Sequence, residues 1–227
     1  MQLRIGSRKS GLAQIQAQWI KAAILRFHPS LKVSLRGIST QGDRDQKSSL
    51  QNIGGKGVFV KDIEDALLNK EIDLAVHSLK DVPQVLPAGL ALGPFPKRED
   101  VREAFISRSG RNLRDLPWGA KIGTSSPRRQ AQLNFSFGDR FVCAPLRGNV
   151  ETRIRKLMEG EFDGIIMAAA GLKRLGLESK ITEILEPEVM LPAPCQGCLG
   201  LEYRVDDSKT RAILDSLKDE ISHITAT

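Results

Sequence analysis

Apolar residues along this chain of 227 residues switch repeatedly between helical spacing and strand-like runs. Residues 11–27 carry them at helical spacing, and residues 32–38 alternate like a strand. The same patterns predict short strands over 3–5 and 73–77 and a helix over 58–69. A similar alternation resumes over 103–107, 121–123, 127–133 and 141–146, and it continues through 149–158, 164–168 and 199–203. Strands that alternate with helices predict α/β layers with largely parallel sheets.

Three of the predicted helices are defined by the residues at helical spacing. These residues are Leu12, Ile15, Trp19 and Ala22 in the first, Phe59, Ile63 and Leu67 in the second, and Ile213 and Leu217 in the third. Ser208 is expected to cap this third helix, which is predicted to be the last of the chain.

Proline and glycine cluster at two places, residues 83–96 and 191–197, and predict two chain crossings. The predicted domain 1 comprises residues 1–96 plus 197–214, and the predicted domain 2 comprises residues 97–196. Residues 215–227 are predicted to be a short C-terminal remnant. The fold class is therefore α/β, with two lobes that resemble periplasmic-binding-protein domains around a central cleft.

The amino-acid composition limits which cellular compartment and which binding partners are expected. Hydrophobic residues make up 41% and charged residues 27% of the chain, an ordinary globular balance. Neither a run long enough to cross a membrane nor a secretion signal is visible. Three cysteines favour a reducing cytoplasm. The net charge is +7, but aromatic residues make up only 5% and no lysine-rich run occurs, so an acidic-ligand cleft or solvated surface is favoured over nucleic-acid binding.

Two predicted strand-to-helix junctions carry arginines. The first is residues 123–129, GTSSPRR, and the second is residues 146–153, LRGNVETR. Helix N-termini present unpaired N–H groups and a partial positive charge, and arginine grips carboxylate or phosphate in two places. Two such junctions in one chain predict a ligand that carries several negative groups.

Other candidate residues lie where predicted strands end. His77, Lys80 and Asp81 follow one strand, where ligands of open α/β sheets gather. Taken alone, Lys80 and Asp81 are more typical of an exposed ion pair. Next to an anion cleft, Asp81 could instead protonate a leaving group or stabilise a developing cation. Arg8 and Ser10 likewise follow the first strand and precede a helix.

The glycine-rich segment 52–57, NIGGKG, lacks the spacing of a phosphate-binding P-loop. It is either a surface loop or a lid that carries Lys56 over the ligand. A Glu151–Arg155 pair at i,i+4 spacing makes Arg155 a structural residue and leaves Arg153 for the ligand. Lys173 and Arg174 face the ligand or act as C-terminal helix cations.

Cys195 and Cys198 have the spacing of a zinc or redox pair. No second pair accompanies them and the histidines are scattered, so no metal site is expected. Buried or loop thiols are the expectation for these two and for Cys143.

Taken together, these motifs resemble the porphobilinogen deaminase (hydroxymethylbilane synthase) family from residue 3 to about residue 215. The matching segments are 3–10 (LRIGSRKS), 54–59 (GGKGVF), 75–83 (AVHSLKDVP), 98–100 (RED), 123–129, 146–149 (LRGN) and 170–176 (AGLKRLG).

The resemblance implies a cytoplasmic transferase of porphyrin and heme biosynthesis. It joins four porphobilinogen molecules into the linear tetrapyrrole hydroxymethylbilane and releases ammonia. Its ligands would be porphobilinogen, oligopyrrole intermediates and a dipyrromethane cofactor, all rich in carboxylates.

Site roles also follow from the resemblance. Asp81 matches the catalytic aspartate, which assists loss of the amino group and stabilises the cationic azafulvene. The residues implied to bind the cofactor are Arg8, Ser10, Lys80, Asp81, Thr124, Ser125, Ser126, Arg128, Arg129, Arg147 and Gly148. The residues implied to bind the substrate are Arg8, Lys56, Arg147, Arg153 and Arg174.

The chain departs from the family pattern at the cofactor anchor. The family attaches its dipyrromethane through a cysteine in a Gly-Gly-Cys-Gln type loop of a third, C-terminal domain, and this sequence has no such loop. We therefore expect the third domain and the usual attachment cysteine to be absent, and a partner chain could supply that domain. Cys195 or Cys198 is the hypothetical tether. Asn52, where many relatives carry lysine, also departs from the pattern. The alternative function is a two-lobed anion- or pyrrole-binding protein without turnover.

Overall fold

Two five-stranded sheets organise the fold in the computed structural model, which describes residues 2–44 and 60–226. The chain divides into two compact units. Unit 1 comprises Met1–Glu99 and Cys198–Thr227, and unit 2 comprises Asp100–Gly197.

Unit 1 is built from two separate stretches of sequence. Its elements are β1 (Gln2–Arg8), α1 (Gly11–Phe27), β2 (Lys32–Ile38), α2 (Gln41–Arg44), α3 (Lys61–Leu68), β3 (Leu74–Ser78), β4 (Leu90–Leu92), β10 (Leu199–Arg204), α7 (Ser208–Asp215) and α8 (Glu220–Ala226). The sheet has the order β2-β1-β3-β10-β4. β1 runs parallel to β2 and β3, whereas β10 runs antiparallel to β3 and β4.

Unit 2 is continuous in sequence. Its elements are β5 (Glu103–Ser107), β6 (Ala120–Gly123), α4 (Pro127–Phe137), β7 (Phe141–Ala144), α5 (Val150–Met158), β8 (Gly164–Ala168), α6 (Ala169–Arg174) and β9 (Glu183–Leu185). The sheet has the order β7-β6-β8-β5-β9, with β6 parallel to β7 and β8 and β5 antiparallel to β8 and β9.

The α/β fold class is confirmed, but the expectation of largely parallel sheets is wrong. Half of the strand pairs in each described sheet are antiparallel, because β10 and β5 enter against the direction of their neighbours. A strand that is covered on both faces reads as a short apolar run whichever way it points. The sequence pattern therefore predicts the strand and leaves its direction open.

The phase of α1 also differs from the prediction. The buried face carries Ala17, Ile20 and Ile24, whereas Trp19 is 48% exposed. Small alanines let this face of the helix approach the sheet. The prediction had instead assigned the apolar face by the large residue Trp19. In α3, by contrast, Ile63 and Leu67 are fully buried as predicted; Phe59 lies outside the described residues.

The last predicted helix is corrected at both ends. Asp207, not Ser208, caps α7, because its carboxylate accepts the Thr210 N–H at 3.0 Å. Leu217 lies beyond the end of α7, and α8 follows it. Ser222 of α8 accepts the Arg98 N–H at 2.8 Å within unit 1.

Candidate functional site

The first arginine-bearing junction of unit 2 connects β6 to α4. Ser126 is the N-cap, its side chain accepting the Arg129 N–H at 3.5 Å, and Pro127 occupies the first turn. Thr124 is buried, and its hydroxyl accepts the Ser126 N–H at 3.2 Å. These side chains fix the loop so that the first turn of an 11-residue helix stands at the carboxyl end of β6.

The second junction connects β7 to α5. Asn149 caps the helix by accepting the Thr152 N–H at 2.9 Å. Gly148 precedes it with a φ of 115°, a conformation that side chains rarely adopt, and a Cβ there would lie 2.7 Å from Thr152 Cγ2. Arg153 donates from Nε to the Gly148 carbonyl at 2.8 Å. Arg153 of the second junction is thus held by a hydrogen bond to the glycine turn that precedes its helix.

Ser125 holds the two junctions together. Its hydroxyl donates to the Leu146 carbonyl and accepts the Leu146 N–H, both at 3.0 Å. The Thr124 N–H donates to the Ala144 carbonyl at 2.9 Å. Because β6 and β7 are parallel neighbours, their carboxyl ends meet at one sheet edge, and both helix N-termini start there.

Glu103 is a buried acid at the first junction that the sequence analysis missed. Its carboxylate, fully buried on β5, accepts from Arg129 Nη2 at 2.7 Å and Nε at 3.1 Å, and also from Arg128. Arg129 is buried as well and donates from Nη1 to the Ile166 carbonyl at 2.8 Å. Burial raises the pKa of Glu103, but the charges and hydrogen bonds of the two arginines lower it below its usual range. A lone acid within the apolar strand EAFIS was the available signal.

The two basic residues at the C-terminus of α6 form hydrogen bonds with the first and the last residue of unit 2. Lys173 donates from Nζ to Asp100 at 2.9 Å, and Arg174 donates from Nη2 to the Gly197 carbonyl at 2.6 Å. Hydrogen bonds from Arg102 are the main reason why the pKa of Asp100 lies well below its usual range. On the neighbouring helix α5, Arg155 pairs with Glu159, not with the predicted Glu151.

Unit 1 contains a cavity of about 80 Å³ at the ends of β1 and β3. Its polar lining residues are Arg8, Ser10, Gln16, His77, Ser78 and Asp81. Asp81 ends a single 3-10 turn, Leu79–Asp81, that follows β3 directly. Lys80 and Asp81 are both exposed.

Within the described residues, no hydrogen bond or ion pair engages the Asp81 carboxylate. The structure thus brings Arg8, Ser10 and Asp81 to one cavity, whereas Lys56 lies outside the described residues.

At the wall of this cavity lies a buried hydrogen-bonded pair that the sequence analysis also missed. The Nε2 atom of His77 lies 2.9 Å from Oε2 of Glu202 on β10, and both side chains are buried. Glu64 on α3 is buried nearby. Burial and then the charge of Glu202 are the main causes that raise the pKa of Glu64 to about 7.

All three cysteines lie among the described residues, and none of them is in a disulfide. Cys198 is buried, and Cys195 is half-buried with a φ of 59°. Cys143 lies on β7, where burial raises the pKa of its thiol. Across the described ranges 2–44 and 60–226, no group of three or more His, Cys, Asp or Glu side chains could hold a metal ion. No helix within those ranges is long and apolar enough to cross a membrane.

Sequence comparisons give one consistent result. Residues 3–212 match the model of the family described as porphobilinogen deaminase, dipyrromethane cofactor binding domain. The porphobilinogen deaminase of Syntrophobacter fumaroxidans is 49% identical over 222 residues, which are 98% of this chain and 72% of the relative. That of Syntrophotalea carbinolica is 52% identical over 217 residues, which are 96% of this chain and 69% of the relative.

Solved structures with low sequence identity share the fold. The methionine-binding protein MetQ superposes with a TM-score of 0.57 at 12% identity, covering 99% of this chain and 93% of that chain. The BenM effector-binding domain with benzoate superposes with a TM-score of 0.56 at 14% identity, covering 95% and 90%. The expected likeness to periplasmic-binding-protein domains is therefore confirmed for the fold.

Proposed function

Because this chain belongs to the porphobilinogen deaminase family, we propose that it is a transferase that joins four porphobilinogen molecules into hydroxymethylbilane and releases ammonia. This reaction belongs to porphyrin and heme biosynthesis. The observation that supports the proposal is the cavity of unit 1, because it is lined both by Asp81, which matches the family's catalytic aspartate, and by the cation Arg8.

Asp81 is suited to act on a cationic reaction centre. The described residues leave its carboxylate without a hydrogen-bond or ion-pair partner, and it lies at the mouth of a small polar cavity. A carboxylate in such a place stabilises the positive charge that develops on porphobilinogen as its amino group leaves. We propose Asp81 as the catalytic residue on this ground.

The residues present fit a dipyrromethane, whose carboxylates need several cations and N–H donors. At the junctions of unit 2, Arg128, Arg147 and Arg153 accompany two helix N-termini, and Glu103 offsets part of their charge. The cofactor supplies the free pyrrole position to which the first porphobilinogen is joined. We propose that it is held by Arg8, Ser10, Lys80, Thr124, Ser125, Ser126, Arg128, Arg129, Arg147 and Gly148.

The substrate would be bound by an overlapping set, namely Arg8, Lys56, Arg147, Arg153 and Arg174. Arg129 already binds Glu103 and the Ile166 carbonyl. Its proposed part in holding the cofactor is therefore indirect: with Arg128 it shares Glu103 and so fixes the α4 N-terminus, whose backbone N–H groups would face the ligand. The two units would correspond to the predicted domains, 1–96 plus 197–214 and 97–196.

The cofactor anchor is a separate proposal. The 227 residues contain no Gly-Gly-Cys-Gln type loop, so a tether within this sequence would be Cys195 or Cys198. Cys195 is the better candidate, because Cys198 is only 2% exposed. Intact-mass measurement of protein produced with porphobilinogen tests this, and loss of the added mass in Cys195→Ser but not Cys198→Ser is expected. An unmodified wild-type mass would contradict it and would favour a partner chain that supplies the anchor.

We also propose the cytoplasm as the compartment, since its reducing conditions suit three cysteines that form no disulfide.

The activity is tested by incubating the chain with porphobilinogen and measuring uroporphyrin after oxidation. Asp81→Asn is expected to lower the rate about 100-fold or more while ligand binding persists. Asp206→Asn, which changes an exposed carboxylate elsewhere in unit 1, is the matched control and should stay within about twofold of wild type. Wild-type protein that binds porphobilinogen but forms no product, alone or with the separate C-terminal third of a relative, would refute the enzyme and leave a binding protein.

A further inference from the structure

Three buried titratable side chains form a cluster at the wall of the cavity of unit 1, and the proposed mechanism uses none of them. His77 comes from β3, Glu202 from β10 and Glu64 from α3. The side chains of His77 and Glu202 are only 3% and 0% exposed. Buried ionisable groups are costly unless they are paired, so this cluster calls for an explanation.

The sheet register fixes the His77–Glu202 pair. In the antiparallel β3–β10 ladder, Gly200 lies opposite His77 and Glu202 lies opposite Ala75. Glu202 is therefore the diagonal neighbour of His77 on the same face of the sheet. Gly200 has no side chain to fill the position directly opposite the imidazole. The Nε2–Oε2 distance of 2.9 Å is that of a hydrogen bond.

This pairing leaves one ring nitrogen of His77 available to a ligand. Glu202 occupies Nε2, and the imidazole also lines the cavity that Asp81 lines. No group of residues 2–44 or 60–226 is hydrogen-bonded to Nδ1. With Nε2–H donating to the carboxylate, Nδ1 is the lone-pair nitrogen left for a molecule in the cavity.

The second acid completes the cluster. Among the described residues, Oε1 of Glu64 and Oε1 of Glu202 are buried without a hydrogen-bond partner. Glu64 keeps its proton up to about pH 7, because burial and then Glu202 raise its pKa while His77 lowers it. The titratable and charged groups around His77 are Glu202, Glu64 with Asp65 on α3, and Arg8 and Asp81 in the cavity.

We propose that His77 is the proton acceptor of this cavity and that Glu202 positions it. This proposal rests on the proposed function. When the amino group of porphobilinogen has left as ammonia, the free α-carbon of the acceptor pyrrole bonds to the aminomethyl carbon. One proton then remains on that α-carbon. Nδ1 of His77 takes this proton, and the C–H electron pair returns to the pyrrole ring. Glu202 balances the imidazolium, which passes its proton to ammonia to give ammonium.

His77→Gln is the informative variant. The glutamine amide can take the place of Nε2–H and still donate to Glu202, but it offers no base at the position of Nδ1. We expect kcat to fall about 100-fold or more with KM changed far less. His28→Gln is the matched control, because His28 contacts Ser216 outside the cavity, and it should leave kcat within about twofold. A His77→Gln variant with wild-type kcat would overturn the proposal.

Glu202→Gln tests the positioning role. It keeps the shape of the side chain but removes the charge that balances the imidazolium. We expect kcat to fall about 10-fold or more and the acid limb of its pH profile to move toward lower pH. A pH profile that keeps its shape would show that Glu202 is only structural.

The third measurement needs no turnover. The chain has only three histidines, so a 15N-labelled imidazole spectrum of the wild type is readily assigned with the His28 and His77 variants. We expect the neutral imidazole of His77 to carry its proton on Nε2, and the Nδ1–H tautomer would overturn the proposal. Wild type without turnover would refute the proposed function, whereas turnover with an unaffected His77→Gln variant would refute this inference alone.

Discussion

Replacing Glu103 by glutamine removes the buried charge that Arg128 and Arg129 share. The carboxylate accepts three hydrogen bonds from the two guanidinium groups, two of them from Arg129 at 2.7 and 3.1 Å. Removing one partner of a buried ion pair costs about 3–5 kcal/mol, because the other charge stays buried. Glutamine keeps one acceptor oxygen, so we expect the lower end, about 3 kcal/mol.

The measurement must read unit 2 separately, because a chain with two units need not unfold in one step. Hydrogen exchange in urea, followed by mass spectrometry, does this when a β8 peptide is compared with a β3 peptide. With an m-value of about 2 kcal/mol/M, the midpoint for β8 should fall by about 1.5 M while that of β3 stays unchanged. Glu188→Gln, an exposed acid of the same unit, is the control.

The pH dependence supplies a second check. The pKa of Glu103 is lowered in the folded protein, so its contribution is present above the ordinary glutamate pKa and is lost as pH falls through the folded value. The difference between wild type and Glu103→Gln should therefore shrink on acidification. A loss below about 1 kcal/mol near pH 7, or a difference that grows in acid, would refute the assignment of a stabilising buried pair.

Three further changes have defined outcomes in the same unfolding measurement. Gly164→Ala should cost about 1–3 kcal/mol, because its Cβ would lie 2.3 Å from the Phe105 ring; an unchanged midpoint would contradict this. Ser125→Ala should cost about 1–3 kcal/mol by leaving the buried N–H of Leu146 unpaired. Ser125→Thr keeps a hydroxyl and should lose less stability than Ser125→Ala. Because the pKa of Glu64 is raised, the wild type loses stability as pH rises from the ordinary glutamate pKa to about 7. Glu64→Gln should abolish this loss, so by pH 8 the variant should be more stable relative to wild type by on the order of 1–3 kcal/mol.

Long periodic segments were predictable from the sequence, whereas very short strands were not. The bounds predicted for β2, β5 and β8 agree with the structure, as do those of α1. The edge strands β4 and β9 have three residues each, too few to show a period, and were missed. The ladder hydrogen bonds that define them come from partners distant in sequence.

The site was predictable only where its residues are local. The caps of α4 and α5 follow from Ser126 and Asn149 at the ends of strands. The partners of His77 and Arg129 lie 125 and 26 residues away, so spacing could not reveal them. Both partners are single glutamates inside apolar strands, LGLEYR and EAFIS. A charged residue in such a place must find a counter-charge, and this signal can be sought in other sequences.

The discontinuity of unit 1 has a consequence for synthesis on the ribosome. β10 lies between β3 and β4 in the sheet, yet it follows all of unit 2 in the sequence. The N-terminal 99 residues therefore emerge without the strand that joins β3 to β4. Unit 2 is complete once residue 197 has emerged, so the middle of the chain can fold before the segment translated first. A chaperone that holds nascent chains would meet the unpaired edges of β3 and β4 throughout that interval.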